Sequence, residues 1–239
     1  MIESTSWLFN KPVAHRGLHN EKFPENSLGA FQNAVDNGFP IETDIHLSID
    51  GELVVFHDDS LKRMTGDERT VEDVMLAELM SFKLQNSQYY IPSFDELLQL
   101  VGGKVPLLIE IKNSGRVGAL EQKLIDTLSS YDGEFAIQSF NPYSLSYIKK
   151  RAPKFVLGLL ACSFKDEKLA FYKKFILKRL FLLKKSGAKF INYDIKELPS
   201  KRVSKTGLPV LCWTARSQAD FVASKSLARN IVFENFIPE

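Results

Sequence analysis

The sequence has few cysteines and no long apolar segment. Cys162 and Cys212 are its two cysteines. Each stands inside an apolar run and far from the other, so we expect two buried thiols rather than a disulfide or a metal site. No stretch of about 18 consecutive apolar residues occurs, and the first residues carry no signal-peptide core. These absences argue against a membrane-spanning helix and predict a soluble protein of the reducing cytoplasm.

An excess of charge of one sign is also absent. The chain carries 31 Lys and Arg against 29 Asp and Glu, and 44% of its 239 residues are hydrophobic. This balance predicts a folded globular chain, which we expect to form a single domain over residues 1–239. Neither a basic stripe with interleaved aromatic residues nor a GxxxxGK loop is present, so no nucleic-acid partner is expected. No feature of the sequence specifies an oligomeric state.

Apolar runs rich in β-branched residues recur along the chain, with segments of helical periodicity between them. Eight such runs predict strands, at residues 13–17, 41–47, 106–112, 134–140, 155–161, 190–195, 209–215 and 230–236. Their continuous apolar character is typical of strands that are covered on both faces. Eight alternations of strand and helix predict a (β/α)8 TIM barrel, with a doubly wound open sheet as the alternative.

The regular alternation is interrupted after the second predicted strand. The segment SIDGELVVFHD contains an Asp50-Gly51 turn and a short extra strand, which predicts a β-hairpin that ends near His57. The following residues, 59–105, are longer than a strand-to-helix connection needs and predict a small helical excursion or lid. Within it, IPSFDELLQLV predicts a turn followed by an amphipathic helix.

Residues able to carry chemistry are concentrated near the predicted strand ends. All four histidines lie between His15 and His57. Because residues two apart in a strand share a face, Glu42 and Asp44 point the same way, as do Glu110 and Lys112. At the carboxyl ends of barrel strands, Glu42, Asp44 and Glu110 would crowd together, and a divalent cation relieves their repulsion. Oxygen ligands favour Mg2+ or Ca2+. Together with the histidines and cations near the strand ends, these acids predict metal-assisted chemistry on a phosphate ester.

A purely structural interpretation is weighed against this one. The acids could instead form buried ion pairs with Arg16 and Lys112, which is the usual arrangement for a lone acid in a strand. His46 shares the face of Glu42 and Asp44 and is a weaker candidate, whereas His19 is expected on the surface. Glu25 and Asn26, in the PENS segment, are expected to brace the site through hydrogen bonds, and Asn26 or Ser27 to cap a helix.

The order and spacing of these segments resemble a known family. HRG, PENS, ETDIHLSIDGELVVFHD, LLIEIK, QSF and CWT look like the glycerophosphodiester phosphodiesterases, from Val13 to the last strand. The resemblance implies a metal-dependent hydrolase that yields glycerol 3-phosphate and an alcohol. It implies that Glu42, Asp44 and Glu110 bind the metal and that His15 and His57 are the acid–base pair. It further implies that Arg16 and Lys112 hold the phosphate, while Phe140 and Trp213 line the glycerol and alcohol pocket.

The chain departs from the family pattern near its end. Arg216 stands where the family often has Asn, and the last strand reads NIVFENF, with Glu234 in place of the usual Asp. Two other functions stay open: a phospholipase D acting on lysolipids, and a barrel that binds phosphorylated ligands without catalysis. Residues 165–187, rich in Lys and Arg, are expected to form an outer helix rather than a membrane-surface anchor.

Overall fold

The computed structural model describes residues 6–113, 115–163 and 177–239. Most of the basic segment predicted as an outer helix, residues 165–176, therefore lies outside the described residues. The chain divides into two compact units, Val13–Phe135 and Met1–Pro12 with Ala136–Glu239. The prediction of one domain over residues 1–239 stays a prediction.

Strands and helices alternate along the described residues. The strands are β1 Val13–Ala14, β2 Ile41–Leu47, β3 Leu53–Val55, β4 Leu107–Ile111, β5 Phe135–Ser139, β6 Leu157–Ala161, β7 Phe190–Asp194, β8 Val210–Ala215 and β9 Asn230–Phe233. The helices are α1 Trp7–Asn10, α2 Leu28–Asp36, α3 Lys62–Thr65, α4 Leu76–Leu79, α5 Phe94–Val101, α6 Ala119–Leu128, α7 Pro142–Arg151, α8 Leu183–Ser186, α9 Lys201–Ser204 and α10 Gln218–Ser224. All eight predicted barrel strands are present, and β3 is the predicted extra strand.

The unit Val13–Phe135 is built around β2. This strand pairs in parallel with β1 on one side and with β4 on the other. Beyond Asp50 and Gly51 the chain reverses, and β3 pairs antiparallel with the end of β2, with Ile45 opposite Val55. Gly51 adopts a φ of 80°, which a glycine reaches without strain. The predicted hairpin is therefore formed.

The first strand is shorter than predicted. It ends at Ala14 rather than at residue 17, because Arg16 and Gly17 have positive φ angles of 54° and 79° and turn the chain out of the strand. A Cβ atom on Gly17 would lie 2.9 Å from the Ala30 carbonyl carbon in α2. This close approach allows the turn that carries His15 and Arg16 to pack directly on α2.

The excursion over residues 59–105 has a core of its own. Buried apolar side chains from β3, α3, α4 and the segments that follow each of them pack together; they are Val54, Phe56, Leu61, Met64, Val71, Val74, Leu79, Leu84 and Ile91. The predicted helix in this excursion is α5, which begins with a capping box between Ser93 and Glu96. Apolar packing thus holds the excursion against the hairpin and fixes where its side chains lie.

The second unit contains a continuous parallel sheet. Strands β5 to β9 pair in sequence order, each in parallel with the next. Cys212 on β8 is buried, as predicted, whereas Cys162 is only half-buried because it follows β6 rather than lying within it. Among the described residues, no helix has the length and apolar character needed to cross a lipid bilayer.

Candidate active site

Three acidic side chains from two neighbouring strands meet in one place. Glu42 and Asp44 lie on β2 and Glu110 on β4, and the parallel register places Asp44 opposite Glu110. All three are buried, and each offers a carboxylate oxygen within 4.8 Å of those of the other two. The period of two along a strand and the parallel register together bring these acids into one space.

Two cations lie against the acids. The Nζ atom of Lys112 is 2.6 Å from Glu110 Oε1 and 3.1 Å from Asp44 Oδ1. The Nε atom of Arg16 is 3.5 Å from Asp44 Oδ2, and the Arg16 backbone N–H donates to Glu42 Oε2 at 3.1 Å. The ion pairs of the structural interpretation are therefore present, but three carboxylates face two cations.

The charge in this cluster is unevenly distributed. Burial, together with repulsion from Asp44 and Glu110, raises the pKa of Glu42 well above its ordinary value. Burial also raises the pKa of Glu110. Burial would also raise the pKa of Asp44, but electrostatic attraction to Lys112, His57 and Arg16 outweighs it, so the pKa of Asp44 is lowered. One acid thus tends to keep a proton when no further positive charge is present.

The oxygen atoms of the cluster fit a hard divalent cation. Asp44 Oδ1 and Glu110 Oε1 are buried and accept no well-aligned hydrogen bond, even though Lys112 lies close to both. Buried acceptors of this kind are costly unless something binds them. A donor set of three carboxylates suits Mg2+ or Ca2+ better than zinc, which prefers nitrogen and sulfur ligands.

Two histidines flank the acids. His15 follows β1, is 9% exposed, and its Nε2 lies 3.9 Å from Glu42 Oε2. His57 follows the hairpin strand β3, and its Nδ1–H donates to Asp58 Oδ1 at 2.6 Å. That bond orients the imidazole and leaves Nε2 available for proton transfer.

The remaining two histidines are separate from this pair. His46 is buried, and its Nε2–H donates to the backbone carbonyl of His57 at 3.3 Å. Burial lowers the pKa of His46 to about 4. His46 is thus a neutral group that supports the backbone of His57. His19 is half-buried rather than fully exposed.

The PENS segment braces the site, as expected. Asn26 donates from Nδ2 to Asp44 Oδ2 at 2.8 Å and accepts from Thr43 Oγ1 at 3.0 Å. Its φ of 53° is a left-handed conformation that Asn tolerates better than most residues. Glu25 accepts from Arg16 Nη1 at 2.8 Å. Ser27 is the residue that caps α2.

One charged residue near the site was missed by the sequence prediction. Arg63, on the short helix α3, donates to both Glu25 and Asp58. Its only sequence signal is its position five residues after Asp58, in a stretch predicted as an excursion. Its two partners come from distant parts of the chain, so only the folded structure shows that they meet.

The two aromatic residues predicted to line the pocket lie in the second unit. Phe140 follows β5 and Trp213 lies on β8, and their rings pack edge to face with centroids 5.7 Å apart. The Trp213 indole N–H donates to the Asn192 carbonyl at 3.3 Å. Both rings are half-buried, so each keeps an accessible surface.

Comparison with known proteins identifies the family. The family model described as the glycerophosphoryl diester phosphodiesterase family matches residues 15–237. That match spans almost all of the chain and includes His15, the acids, both cations and His57. The chain belongs to this family, as the sequence resemblance predicted.

Relatives and solved structures agree with this assignment. A glycerophosphodiester phosphodiesterase of Caldanaerobacter subterraneus subsp. tengcongensis is 40% identical over 62% of the chain and 65% of that protein. The lysophospholipase D GDPD1 of Rattus norvegicus is 31% identical over 52% of the chain and 43% of that protein. The matched region is thus under two thirds of the length of either relative.

A solved structure establishes the fold class. A phosphodiesterase of Oleispira antarctica, in complex with the product sn-glycerol-3-phosphate, superposes with a TM-score of 0.79 at 21% identity. The superposition covers 95% of this chain and 93% of the other. The predicted (β/α)8 TIM-barrel fold is confirmed.

Proposed function

We propose that the protein hydrolyses glycerophosphodiesters to glycerol 3-phosphate and an alcohol, with the help of a divalent cation. The observation that carries the proposal is the set of three buried acids flanked by two cations and two histidines. Family membership and the name of the Caldanaerobacter relative support this substrate class. The product in the Oleispira structure supports a small phosphorylated ligand.

The cation would be held by Glu42, Asp44 and Glu110. When bound, Mg2+ or Ca2+ supplies positive charge that stabilises the anionic phosphate as its charge builds up. The protein's own part is to hold these three carboxylates together in one place. Asn26 contributes through its hydrogen bond to Asp44.

Arg16 and Lys112 are proposed to hold the phosphate oxygens. Both side chains are about 15% exposed, so each is mostly desolvated yet reachable by a ligand. Charge-assisted hydrogen bonds from such groups are stronger than neutral ones. A single well-placed donor of this kind typically contributes about 10²- to 10³-fold in rate.

His15 and His57 are proposed to move the protons. One neutral imidazole removes the proton of the attacking hydroxyl, which belongs either to water or to the glycerol next to the phosphate. Attack by water gives glycerol 3-phosphate directly, whereas attack by the glycerol hydroxyl gives a cyclic phosphate that water then opens to glycerol 3-phosphate. The new P–O bond forms as the P–O bond to the alcohol breaks, and the other, protonated imidazole donates its proton to that leaving oxygen. Each transfer is worth about 10²- to 10⁴-fold. We favour His15 as the base and His57 as the acid.

The roles of Phe140 and Trp213, binding the glycerol and alcohol, stay predictions from the family resemblance.

The test is release of glycerol 3-phosphate from glycerophosphocholine. Metal-stripped protein is assayed alone and with Mg2+ or Ca2+, together with H15A and E42A. We expect no turnover without metal, recovery with one of the two ions, and loss in both variants. H19A and E121Q serve as controls, since His19 lies outside the proposed machinery and Glu121 is a buried acid that caps α6. Turnover by H15A or E42A at the wild-type rate would contradict the assigned roles.

Lysophospholipids are the second candidate substrates, because the rat relative carries the name lysophospholipase D. The same assay with lysophosphatidylcholine, following choline release, separates the two. Turnover only of the lysolipid would replace the proposed substrate. Ligand binding without turnover of either compound would favour the non-catalytic barrel.

A further inference from the structure

Arg63 makes two bidentate contacts with acids from different parts of the chain. Its Nη1 and Nη2 donate to Glu25 Oε2 and Oε1 at 3.0 and 2.7 Å. Its Nε and Nη2 donate to Asp58 Oδ2 and Oδ1 at 2.6 and 3.0 Å. The planar guanidinium is the side chain that can bond two carboxylates in this way.

Each of those acids also bonds a residue of the proposed machinery. Glu25 Oε1 accepts from Arg16 Nη1 at 2.8 Å, and Asp58 Oδ1 accepts from His57 Nδ1 at 2.6 Å. The result is one continuous chain of charged hydrogen bonds, which we name the Arg63 bridge: Arg16, Glu25, Arg63, Asp58 and His57. It connects the proposed phosphate-binding arginine to a proposed proton-transfer histidine.

We propose that Arg63 is a positioning residue that sets the guanidinium of Arg16 and the imidazole of His57 in one geometry. The inference rests on the proposed function, because it concerns the residues proposed to bind phosphate and transfer protons. Without Arg63, Glu25 and Asp58 lose their shared cation and become free to move apart. The Arg16 guanidinium and the His57 imidazole are then no longer held in a fixed position relative to each other.

The backbone supports this role. Arg63 lies on α3 between Leu61 and Met64, which are 0% and 2% exposed in the core of the excursion. The buried neighbours fix the backbone at Arg63, so its guanidinium can hold Glu25 and Asp58 in defined positions. The excursion after β3 thus places the Arg63 guanidinium between Glu25 and Asp58.

The charge states agree with the geometry. Burial alone would raise the pKa of Glu25, but hydrogen bonds from Arg63 and the charge of Arg16 lower it. The pKa of Asp58, which burial would also raise, is held well below its ordinary value by hydrogen bonds from His57 and Arg63. Both acids are thus ionised around neutral pH, as charge-assisted bonds require.

The chain offers a matched control in Arg69. This residue lies in the same excursion, also bonds two acids, Asp67 and Glu78, and has a side chain 43% exposed against 45% for Arg63. Among the described residues, neither of its acids bonds Arg16 or His57. Removal of the Arg69 side chain therefore breaks a comparable pair of ion pairs and leaves the Arg63 bridge intact.

The experiment compares R63A with R69A in glycerophosphocholine hydrolysis, with the preferred metal present. We expect R63A to lower kcat by about 10- to 100-fold, since small misplacements of reacting groups have effects of this size, and to raise KM through Arg16. R69A is expected to keep kcat within about twofold of wild type, because a surface ion pair contributes little and Arg69 bonds Asp67 and Glu78 rather than the proposed machinery. Guanidinium ion added at low concentration should restore part of the R63A rate.

Two further measurements keep the test decisive. If R63A fails to fold, R63K against R69K replaces it, because lysine keeps the charge but cannot bond two carboxylates bidentately. The ring 15N chemical shifts of His57, assigned with H57Q, are expected to change in R63A and not in R69A. They need no turnover, so they test Arg63 even if wild-type protein hydrolyses neither substrate and the proposed function fails. Equal kcat and equal His57 shifts in R63A and wild type would overturn the inference.

Discussion

Arg216 and Glu234 form an ion pair at the ends of β8 and β9, with Arg216 Nε 2.6 Å from Glu234 Oε1. These are two of the positions at which the sequence resemblance suggested a departure from the family pattern. The backbone N–H of Glu234 also donates to the Ala215 carbonyl at 3.0 Å, so the two strand ends are held side by side. The side chains of Arg216 and Glu234 thus meet where the two strands end side by side.

A double-mutant cycle on this pair tests that relationship. The Arg216 side chain is 55% exposed, so we expect R216A and E234A to show a coupling energy of about 0.2–1 kcal/mol. Urea unfolding of the two single variants and the double variant measures it, and high salt should reduce it. Strictly additive effects at low salt would show that the pair contributes nothing.

A divalent cation should stabilise the fold, and Glu42→Gln should abolish that effect. The raised pKa of Glu42 means that the native state binds its proton more tightly than the unfolded chain. Metal-free stability should therefore fall as pH rises above the ordinary Glu pKa. At about 100 times its Kd, the cation adds about 2.7 kcal/mol. Thermal unfolding near pH 8 is expected to show metal-free E42Q at least as stable as wild type and unresponsive to metal.

The control for this prediction is E121Q. Glu121 is as buried as Glu42, but it bonds Asn113 and the backbone of Gly118. We expect E121Q to be less stable than wild type and still stabilised by the cation. A metal response in E42Q equal to that of wild type would remove Glu42 from the ligand set.

Asn26→Ala should weaken metal binding without removing a ligand. Asn26 bonds Asp44 Oδ2, and loss of such an outer-shell partner typically costs about 10- to 100-fold in metal affinity. Titration calorimetry with the metal measures the change. The matched control is N33A, which removes a side-chain bond to the Leu18 carbonyl in the same unit. Equal affinity in N26A and N33A would contradict a bracing role.

Gly158→Ala should destabilise the second unit by crowding one ring. Gly158 on β6 is paired with Phe190 on β7, and a Cβ atom there would overlap the buried Phe190 ring. Such overpacking typically costs about 1–3 kcal/mol. Phe190→Leu provides space, so G158A/F190L should lose less stability than the sum of the single variants. Additive losses in denaturant unfolding would mean that the ring does not limit this position.

The two cysteines should differ in their reaction with thiol reagents. Burial raises the pKa of the Cys212 thiol to about 11, so near pH 8 only about one thousandth is thiolate. Cys162 is half-buried, and we expect it to be modified first. Mass spectrometry of the alkylated native protein, with C162S as control, measures this order. Modification of Cys212 at the rate of Cys162 would show that β8 opens readily.

The sequence by itself determined the strands and the chemical class of the site. The eight barrel strands were predictable because apolar runs with helical segments between them have few other folded solutions. Glu42 and Asp44 were predictable as one pair because the period of two in a strand is local. The hairpin was predictable from Asp50-Gly51, since turn chemistry depends on adjacent residues.

Only the tertiary structure decided which distant groups meet. The early end of β1 depends on the positive φ angles at Arg16 and Gly17, and Gly17 approaches Ala30 of α2 closely. The Arg63 bridge joins residues 16 to 63, and the Arg216–Glu234 pair depends on strand pairing. A side chain's partner across the fold is set by how whole elements pack, so a pattern local to the sequence cannot specify it.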